Sequence, residues 1–150
     1  DLKWKNHWTC CMHEAALKDR FFPKTYVKWI DPLIGYGLFA GEDLTEYTLV
    51  GEYTGVLRKR QTRKDKFNDY IFGYTVAIYE TPFVIDAQNK GNYTRFINHC
   101  DEPNLFSTWM ISGGICHVIL FAKHAIPKDT QLTYDYGANF WKKRSDPLLI

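Results

Sequence analysis

The chain has no CxxC pair, and its four cysteines, Cys10, Cys11, Cys100 and Cys116, show no disulfide-dense spacing. That argues against a disulfide-stapled secreted fold and against paired-thiolate zinc, so free thiols in an intracellular, reducing compartment are expected. No stretch approaches the roughly 18 consecutive apolar residues a membrane-crossing helix needs. No basic segment followed by an apolar one opens the chain, and a soluble protein without membrane contact is expected. The formal charge of +2 is too small to demand nucleic acid as the primary ligand, because phosphate binding leans on many uncompensated Lys and Arg. Internal repeats, low-complexity tracts and linkers are also missing.

What is present is apolar and aromatic. At 150 residues, with 45% hydrophobic and 17% aromatic side chains, the chain can bury one core and still line a pocket. One structural domain is expected.

From Leu2 to Phe22, Trp4, Trp8, Met12, Ala15, Ala16 and Leu17 recur at roughly helical spacing, and Pro23 is expected to stop the helix or pair of helices. His7, Cys10, Cys11 and His13 do not match structural zinc spacings, so packing of this arm is the simpler reading. Tyr26 to Ile30 reads as a strand ended by Asp31-Pro32. Gly35-Tyr36-Gly37 reads first as a turn and second as a close approach to a ligand; no third glycine supports a dinucleotide fold. Leu49 to Tyr53 and Val56-Leu57 read as strand, with a bend or bulge in GEYTG at 51 to 55. The basic run Arg58 to Lys66 reads as a solvated helix or loop, with a nucleic-acid contact as the minority reading. Tyr70 to Tyr79 and Phe83 to Ile85 read as two strands separated at Pro82. Leu105 to Ile111 and Ile115 to Ala122 form a hairpin through Ser112-Gly113-Gly114. His117 and His124 stand outside any cluster and read as pairing or surface residues. The pattern as a whole is a mainly β, α+β domain.

Two blocks carry chemistry rather than packing. GNYTRFINHCDEPN at 91 to 104 crowds Arg95, Asn98, His99 and Asp101 together, and LTYDYG at 132 to 137 sets two tyrosines around one aspartate. With GYG at 35 to 37, GEYTG at 51 to 55, YIF at 70 to 72 and the run from Ile119 to Gly137, they form a collinear set that resembles the SET domain, the protein lysine methyltransferase family.

The resemblance implies several small curved sheets with a knot-like C-terminal threading over 26–137, flanked by a helical arm (1–25) and a C-terminal segment (138–150). It implies S-adenosylmethionine as methyl donor, S-adenosylhomocysteine as product, and a lysine amine entering from the opposite face. The backbone of Tyr36, Gly37 and Leu38 would meet the methionine end of the cofactor; Arg95, Asn98 and His99 would hold the rest, with Tyr70 alongside and Trp141 on the adenine. Tyr136 would be the catalytic tyrosine, Tyr53 and Phe72 would line the lysine channel with Tyr134, and Tyr134 would set how many methyls fit. A tyrosine at 134 goes in the family with monomethylation.

The chain departs from the family at Asn98-His99-Cys100-Asp101, where many members read NHSC, and no cysteine follows Cys116. No zinc is therefore expected, and Phe140 and Trp141 become the candidates to close the channel. Asp129, Thr130 and Gln131 replace a glycine and acidic pair, a change expected to act on the turn more than on the site. Histones or histone-like basic proteins are the implied substrates, with chromatin or the nucleus, of a host in the case of a microbial effector, as the implied location. Asp69, Asp101 and Glu102 are candidates to attract such a peptide. The alternative is an inactive SET-like module that binds chromatin or protein partners.

Overall fold

The computed structural model describes residues 1–141. The three basic residues of the tail, Lys142, Lys143 and Arg144, lie outside the described residues.

Helix α1 (Leu2–Lys18) begins at Asp1, whose side chain accepts the Lys3 N–H at 2.9 Å. It is one helix, and it stops before Pro23. Arg20 takes a left-handed φ of 52°, Phe21 N–H reaches back to Ala16 C=O at 2.9 Å and Arg20 N–H to Leu17 C=O at 3.3 Å. That paired closure satisfies the last carbonyls, so the stop is a Schellman-type cap and the proline only follows it.

Strands β1 (Thr25–Asp31) and β2 (Gly35–Ala40) form an antiparallel pair. β3 (Leu49–Glu52) joins β9 (Ile115–Ala122) and β8 (Leu105–Ser112) in the order β3-β9-β8, while β4 (Val56–Lys59), β5 (Ile71–Val76) and β6 (Tyr79–Asp86) run β4-β6-β5. GEYTG is therefore where the chain leaves one sheet for another, not a bulge within one strand. β7 (Asn98–His99) and β10 (Thr133–Tyr134) make the one parallel pair among the described residues. The expected mainly β build of several small sheets is what forms.

β9 shows why. As the middle strand it is covered on both faces, and its alternation sends Val118, Leu120 and Ala122 into one apolar cluster and Ile119 and Phe121 into the other. The first cluster also holds Leu38, Val50, Ile97, Leu132 and Tyr134; the second joins Leu49 and Met110 to Trp8, Ala16 and Leu17 of and beside α1. The arm is thus docked through apolar contact, each fully buried aliphatic side chain stabilising by roughly 1.5–3 kcal/mol. His13 belongs to this interface: it is 1% exposed, with its ring 4.6 Å from that of Phe121. Cys10 instead turns to the Ile111 carbonyl, and Cys11 meets His7 at 3.6 Å, so the four do not converge on one point.

The hairpin between β8 and β9 forms as expected, Gly113 and Gly114 taking φ of 60° and 76°. One expectation fails nearby and another holds only in part. Pro82 does not separate strands: it lies inside β6, where Tyr74 of β5 faces a register shift, and an irregular position does not need the N–H that proline lacks. The run from Arg58 to Lys66 is the expected exposed loop and helix except at Arg58 and Asp65. Arg58 ends up between Asp65 and Asp86, at 2.6 and 2.9 Å, and Asp65 is 7% exposed on the four-residue helix α2 (Thr62–Asp65). Burial raises the Asp65 carboxyl, but the Arg58 hydrogen bonds and the Gln61 N–H outweigh it and hold the group below its ordinary range.

Candidate active site

The parallel β7–β10 pair brings the two motif blocks side by side. Asn98 faces Thr133 and His99 faces Tyr134 in register, and the Cys100 N–H donates to the Tyr134 carbonyl at 3.3 Å. Asn104 ties the loop that follows to the incoming segment, donating from Nδ2 to the Gln131 carbonyl at 2.8 Å and accepting the Thr133 N–H at 2.9 Å.

On one side of this seam lies an aromatic wall. Tyr53 and Phe72 stand 5.1 Å apart, Phe72 and Tyr134 6.0 Å, Tyr134 and Tyr136 4.8 Å, and Tyr136 and Phe140 4.7 Å. Phe72, Tyr134, Tyr136 and Phe140 line a cleft of about 590 Å³ whose walls also carry Asp69, Glu80, Arg60 and Lys66. The Tyr53 hydroxyl donates to the Tyr70 carbonyl at 2.9 Å and the Tyr136 hydroxyl to the Ile97 carbonyl at 2.8 Å. Burial raises the phenols of Tyr53, Tyr134 and Tyr136 well above the ordinary tyrosine range, so all three are neutral at physiological pH. They can donate and accept hydrogen bonds there; they cannot serve as phenolate bases.

On the other side, Tyr36 is 51% exposed, its ring 6.0 Å from Phe96 and 5.1 Å from Trp29. Asn98 Nδ2 donates to the Tyr36 carbonyl at 3.1 Å and to Gln131 Oε1 at 3.0 Å. The first glycine of GYG makes the turn, with φ 80°, whereas the second opens space: a Cβ on Gly37 would meet Gln131 Oε1 and Ile30 Cδ1 at 2.7 Å. What stands close to Gly37 is side chain, Gln131 and Ile30. Arg95 crosses the Phe96 ring at 5.0 Å and donates from Nη1 to the Ala87 carbonyl at 3.1 Å, leaving Nε buried and unpartnered. Trp141, on the short helix α3 (Ala138–Trp141), stands 4.9 Å from His99 and nearly parallel to Tyr136 at 6.2 Å, with Nε1 also buried and unpartnered.

The SET domain family model matches residues 35–137, the span that holds every block described. The chain belongs to the SET domain family. It is 36% identical over 133 residues to the histone-lysine N-methyltransferase trithorax of Drosophila melanogaster, covering 83% of this chain and 4% of that protein. It is 35% identical over 137 residues to the histone-lysine N-methyltransferase ASHH2 of Arabidopsis thaliana, covering 86% of this chain and 8% of the relative. The chain therefore spans a small part of the length of the curated relatives it matches. Among solved structures it is similar to KRYPTONITE in complex with mCHH DNA, an H3(1-15) peptide and SAH, with a TM-score of 0.69 and 34% identity over 81% of this chain and 25% of that one.

Within this SET domain, Tyr53, Phe72, Tyr134 and Tyr136 come together in one wall, and Tyr36, Gly37, Asn98 and Gln131 meet in one knot of contacts. Leu38 is fully buried in the main core and meets the site through its backbone, accepting the Leu132 N–H at 2.8 Å. Tyr70 sits just before β5 and offers its carbonyl to Tyr53. The Asp101 carboxylate meets His99 Nε2 at 3.0 Å while its side chain stays 60% exposed. Gln131, expected to act on the turn more than on the site, contacts Asn98 directly. Sequence reasoning also missed Ile97, whose contribution is a carbonyl, and Asn104; an asparagine after a proline gives no hint that it bridges to a segment 27 residues away.

Proposed function

We propose that this SET domain is an S-adenosylmethionine-dependent protein lysine N-methyltransferase that acts on histone or histone-like basic proteins at chromatin and transfers a single methyl group. The observation that carries the reading is the unbroken wall of Tyr53, Phe72, Tyr134 and Tyr136, with buried neutral phenols, beside the Asn98–His99 seam.

The residues fit the cofactor. Arg95 and Trp141 each keep a buried N–H without a partner, on either side of Asn98 and His99, and the half-exposed Tyr36 ring next to Phe96 offers an apolar floor. Tyr36, Gly37 and Leu38 would take its amino-acid end, Arg95, Asn98 and His99 its body, and Trp141 its base, with Tyr70 nearby. When bound, the cofactor supplies an electrophilic methyl group.

The rest is the work of the wall. Only a neutral amine is nucleophilic, and for a lysine with an ordinary pKa near 10.4 that form is disfavoured at pH 7 by about 4.6 kcal/mol. The rings of Phe72, Tyr134, Tyr136 and Phe140 keep water from their side of the cleft and penalise the ammonium form there, which lowers that cost without a side-chain base. The Tyr136 proton is committed to the Ile97 carbonyl, so the phenolic oxygen presents lone pairs that can accept an amine N–H and aim its nitrogen. Tyr134, 7% exposed and in contact with both Phe72 and Tyr136, fills the space that further methyls on the amine would need.

The test is transfer of labelled methyl from S-adenosylmethionine to core histones and to a histone-like protein, with intact-mass readout and Tyr136→Phe alongside. Label on lysine that disappears in the variant, with a mass increment of one methyl, is the expected result. Tight cofactor binding without transfer to any basic protein would count against the substrate class, and no cofactor binding would leave a SET-like binding module.

A further inference from the structure

We infer that Asp101 is a positioning residue for Tyr136, acting through the imidazole of His99; the inference rests on the methyltransferase reading and deepens it. His99 is 6% exposed, its ring packed against those of Tyr136 and Trp141 at 5.4 and 4.9 Å. Its Nδ1 lies 3.1 Å from the backbone nitrogen of Tyr136. A backbone N–H only donates, so Nδ1 carries a lone pair, and the ring proton of the neutral imidazole must sit on Nε2. Nε2 is 3.0 Å from Asp101 Oδ1, which accepts that proton's hydrogen bond.

The opposite tautomer is penalised twice. Nδ1–H would then point at the Tyr136 N–H, and the Nε2 lone pair would face the Asp101 carboxylate. Asp135 offers only a distant alternative, with Oδ1 at 3.6 Å from Nδ1. Asp101 therefore selects the tautomer that lets His99 hold the Tyr136 backbone.

The consequence reaches the phenol because the same short segment holds both ends of the residue. Ile97 accepts the Tyr136 hydroxyl at 2.8 Å, and His99, two positions on, accepts its N–H at 3.1 Å. A tyrosine gripped at backbone and hydroxyl by residues 97 and 99 keeps its oxygen fixed, the kind of alignment whose loss costs rate more than binding. Asp101 occupies the position where the departure from NHSC was seen, and its carboxylate serves the imidazole instead of an incoming basic peptide.

Asparagine and alanine separate the two roles. Asp101→Asn loses the charge but keeps an oxygen that accepts Nε2–H; Asp101→Ala loses both. The ring nitrogens of His99 are followed by nitrogen-15 NMR on histidine-labelled protein, assigned by their absence in His99→Gln, and kcat and KM for a histone peptide are measured in parallel. Wild type and Asp101→Asn are expected to show Nε2–H alone and kcat values within about twofold of each other. Asp101→Ala is expected to mix the tautomers and lower kcat by about tenfold or more, with peptide KM unchanged. Wild-type His99 with its proton on Nδ1, or Asp101→Ala keeping a pure Nε2–H tautomer, would overturn the inference. So would equal rises in peptide KM for both variants at constant kcat, which would return Asp101 to the role of attracting charge. The tautomer readout needs no turnover, so it decides the matter even if the wild type proves unable to transfer methyl groups and the methyltransferase reading itself fails.

Discussion

Asn98 and Gln131 share a 3.0 Å hydrogen bond, and a Cβ on residue 37 would lie 2.7 Å from its acceptor, Gln131 Oε1, and 3.2 Å from its donor, Asn98 Nδ2. Gly37 is held to glycine by that neighbour and by Ile30 rather than by its backbone angles. Gly37→Ala is expected to push Gln131 away from Asn98 and free the amide that now holds the Tyr36 carbonyl at 3.1 Å. Both of the nearest atoms, Gln131 Oε1 and Ile30 Cδ1, end flexible side chains, so the fold absorbs the change at small cost and the loss falls on the Asn98 contacts. Calorimetry with S-adenosylhomocysteine should show the affinity falling by about threefold or more. Unchanged affinity and melting temperature would mean the cleft yields more easily than its contacts imply.

The pairing of Arg58 with Asp65 and Asp86 gives a second expectation. Asp65→Ala leaves Arg58 with one carboxylate in a largely buried place, and the loss is expected to be roughly 3 kcal/mol, near the low end for breaking a buried pair. Both carboxyls are held below their ordinary values: burial raises them, and hydrogen bonds to Arg58, Asn68 and backbone N–H groups more than reverse it. A depressed carboxyl binds its proton more weakly in the fold than in the unfolded chain. The network's contribution should therefore be complete well above about pH 4 and lost as the pH falls below it. Denaturant midpoints measured from pH 7 to pH 3 should fall steeply at the acid end for the wild type and less steeply for Asp65→Asn.

Much of this was readable beforehand because it is written in local pattern. The β8–β9 hairpin follows from two apolar runs around Ser112-Gly113-Gly114, whereas the aromatic wall was expected only because the motifs resemble those of the SET domain. What stayed hidden depends on contacts distant in sequence. Arg58 looked like one of a run of solvated cations, because Asp86, its second partner, lies 28 positions away in another strand. Pro82 looked like a strand break because a register shift opposite Tyr74 leaves no trace in the residues around it. Gln131 and Asp101 act by side-chain hydrogen bonds to Asn98 and His99, and hydrogen-bond partners across a seam carry no periodicity.

His13 supplies a pH effect of its own. Burial lowers its pKa, so the fold holds it neutral, and its Nε2 has no partner. The unfolded chain binds a proton near pH 6.5 that the folded chain resists, so stability is fully present above that value and declines as the pH drops below it. His13→Leu should abolish this decline between about pH 6.5 and 5 and, by removing an unsatisfied buried nitrogen, raise stability by about 1 kcal/mol at neutral pH. Thermal melts across that range would test it. A variant less stable than wild type at every pH would show that the stacking of His13 on Phe121 outweighs the orphan nitrogen.

The three phenols of the wall make the last expectation, and the most direct one for catalysis. Tyr136→Phe removes the oxygen that would aim the amine and leaves the Ile97 carbonyl without its donor, so kcat should drop by about two to three decades, the size of effect seen when one placed polar group is deleted from a reacting centre. Cofactor affinity should stay within about threefold, because the hydroxyl is turned to Ile97 and not to the Asn98 side of the seam. Tyr134→Phe should leave the rate of the first methyl transfer nearly intact and let dimethyl and trimethyl products accumulate in the mass spectrum. Because burial holds the Tyr53, Tyr134 and Tyr136 phenols above their ordinary range, none ionises below about pH 10. The wild-type rate should then rise with pH as the substrate amine deprotonates, with no falling limb from tyrosine before that point. A descending limb near pH 8 or 9 that vanished in Tyr136→Phe would mean that the phenol is far more acidic than its burial implies, and that the neutral phenol assigned to aim the amine is wrong.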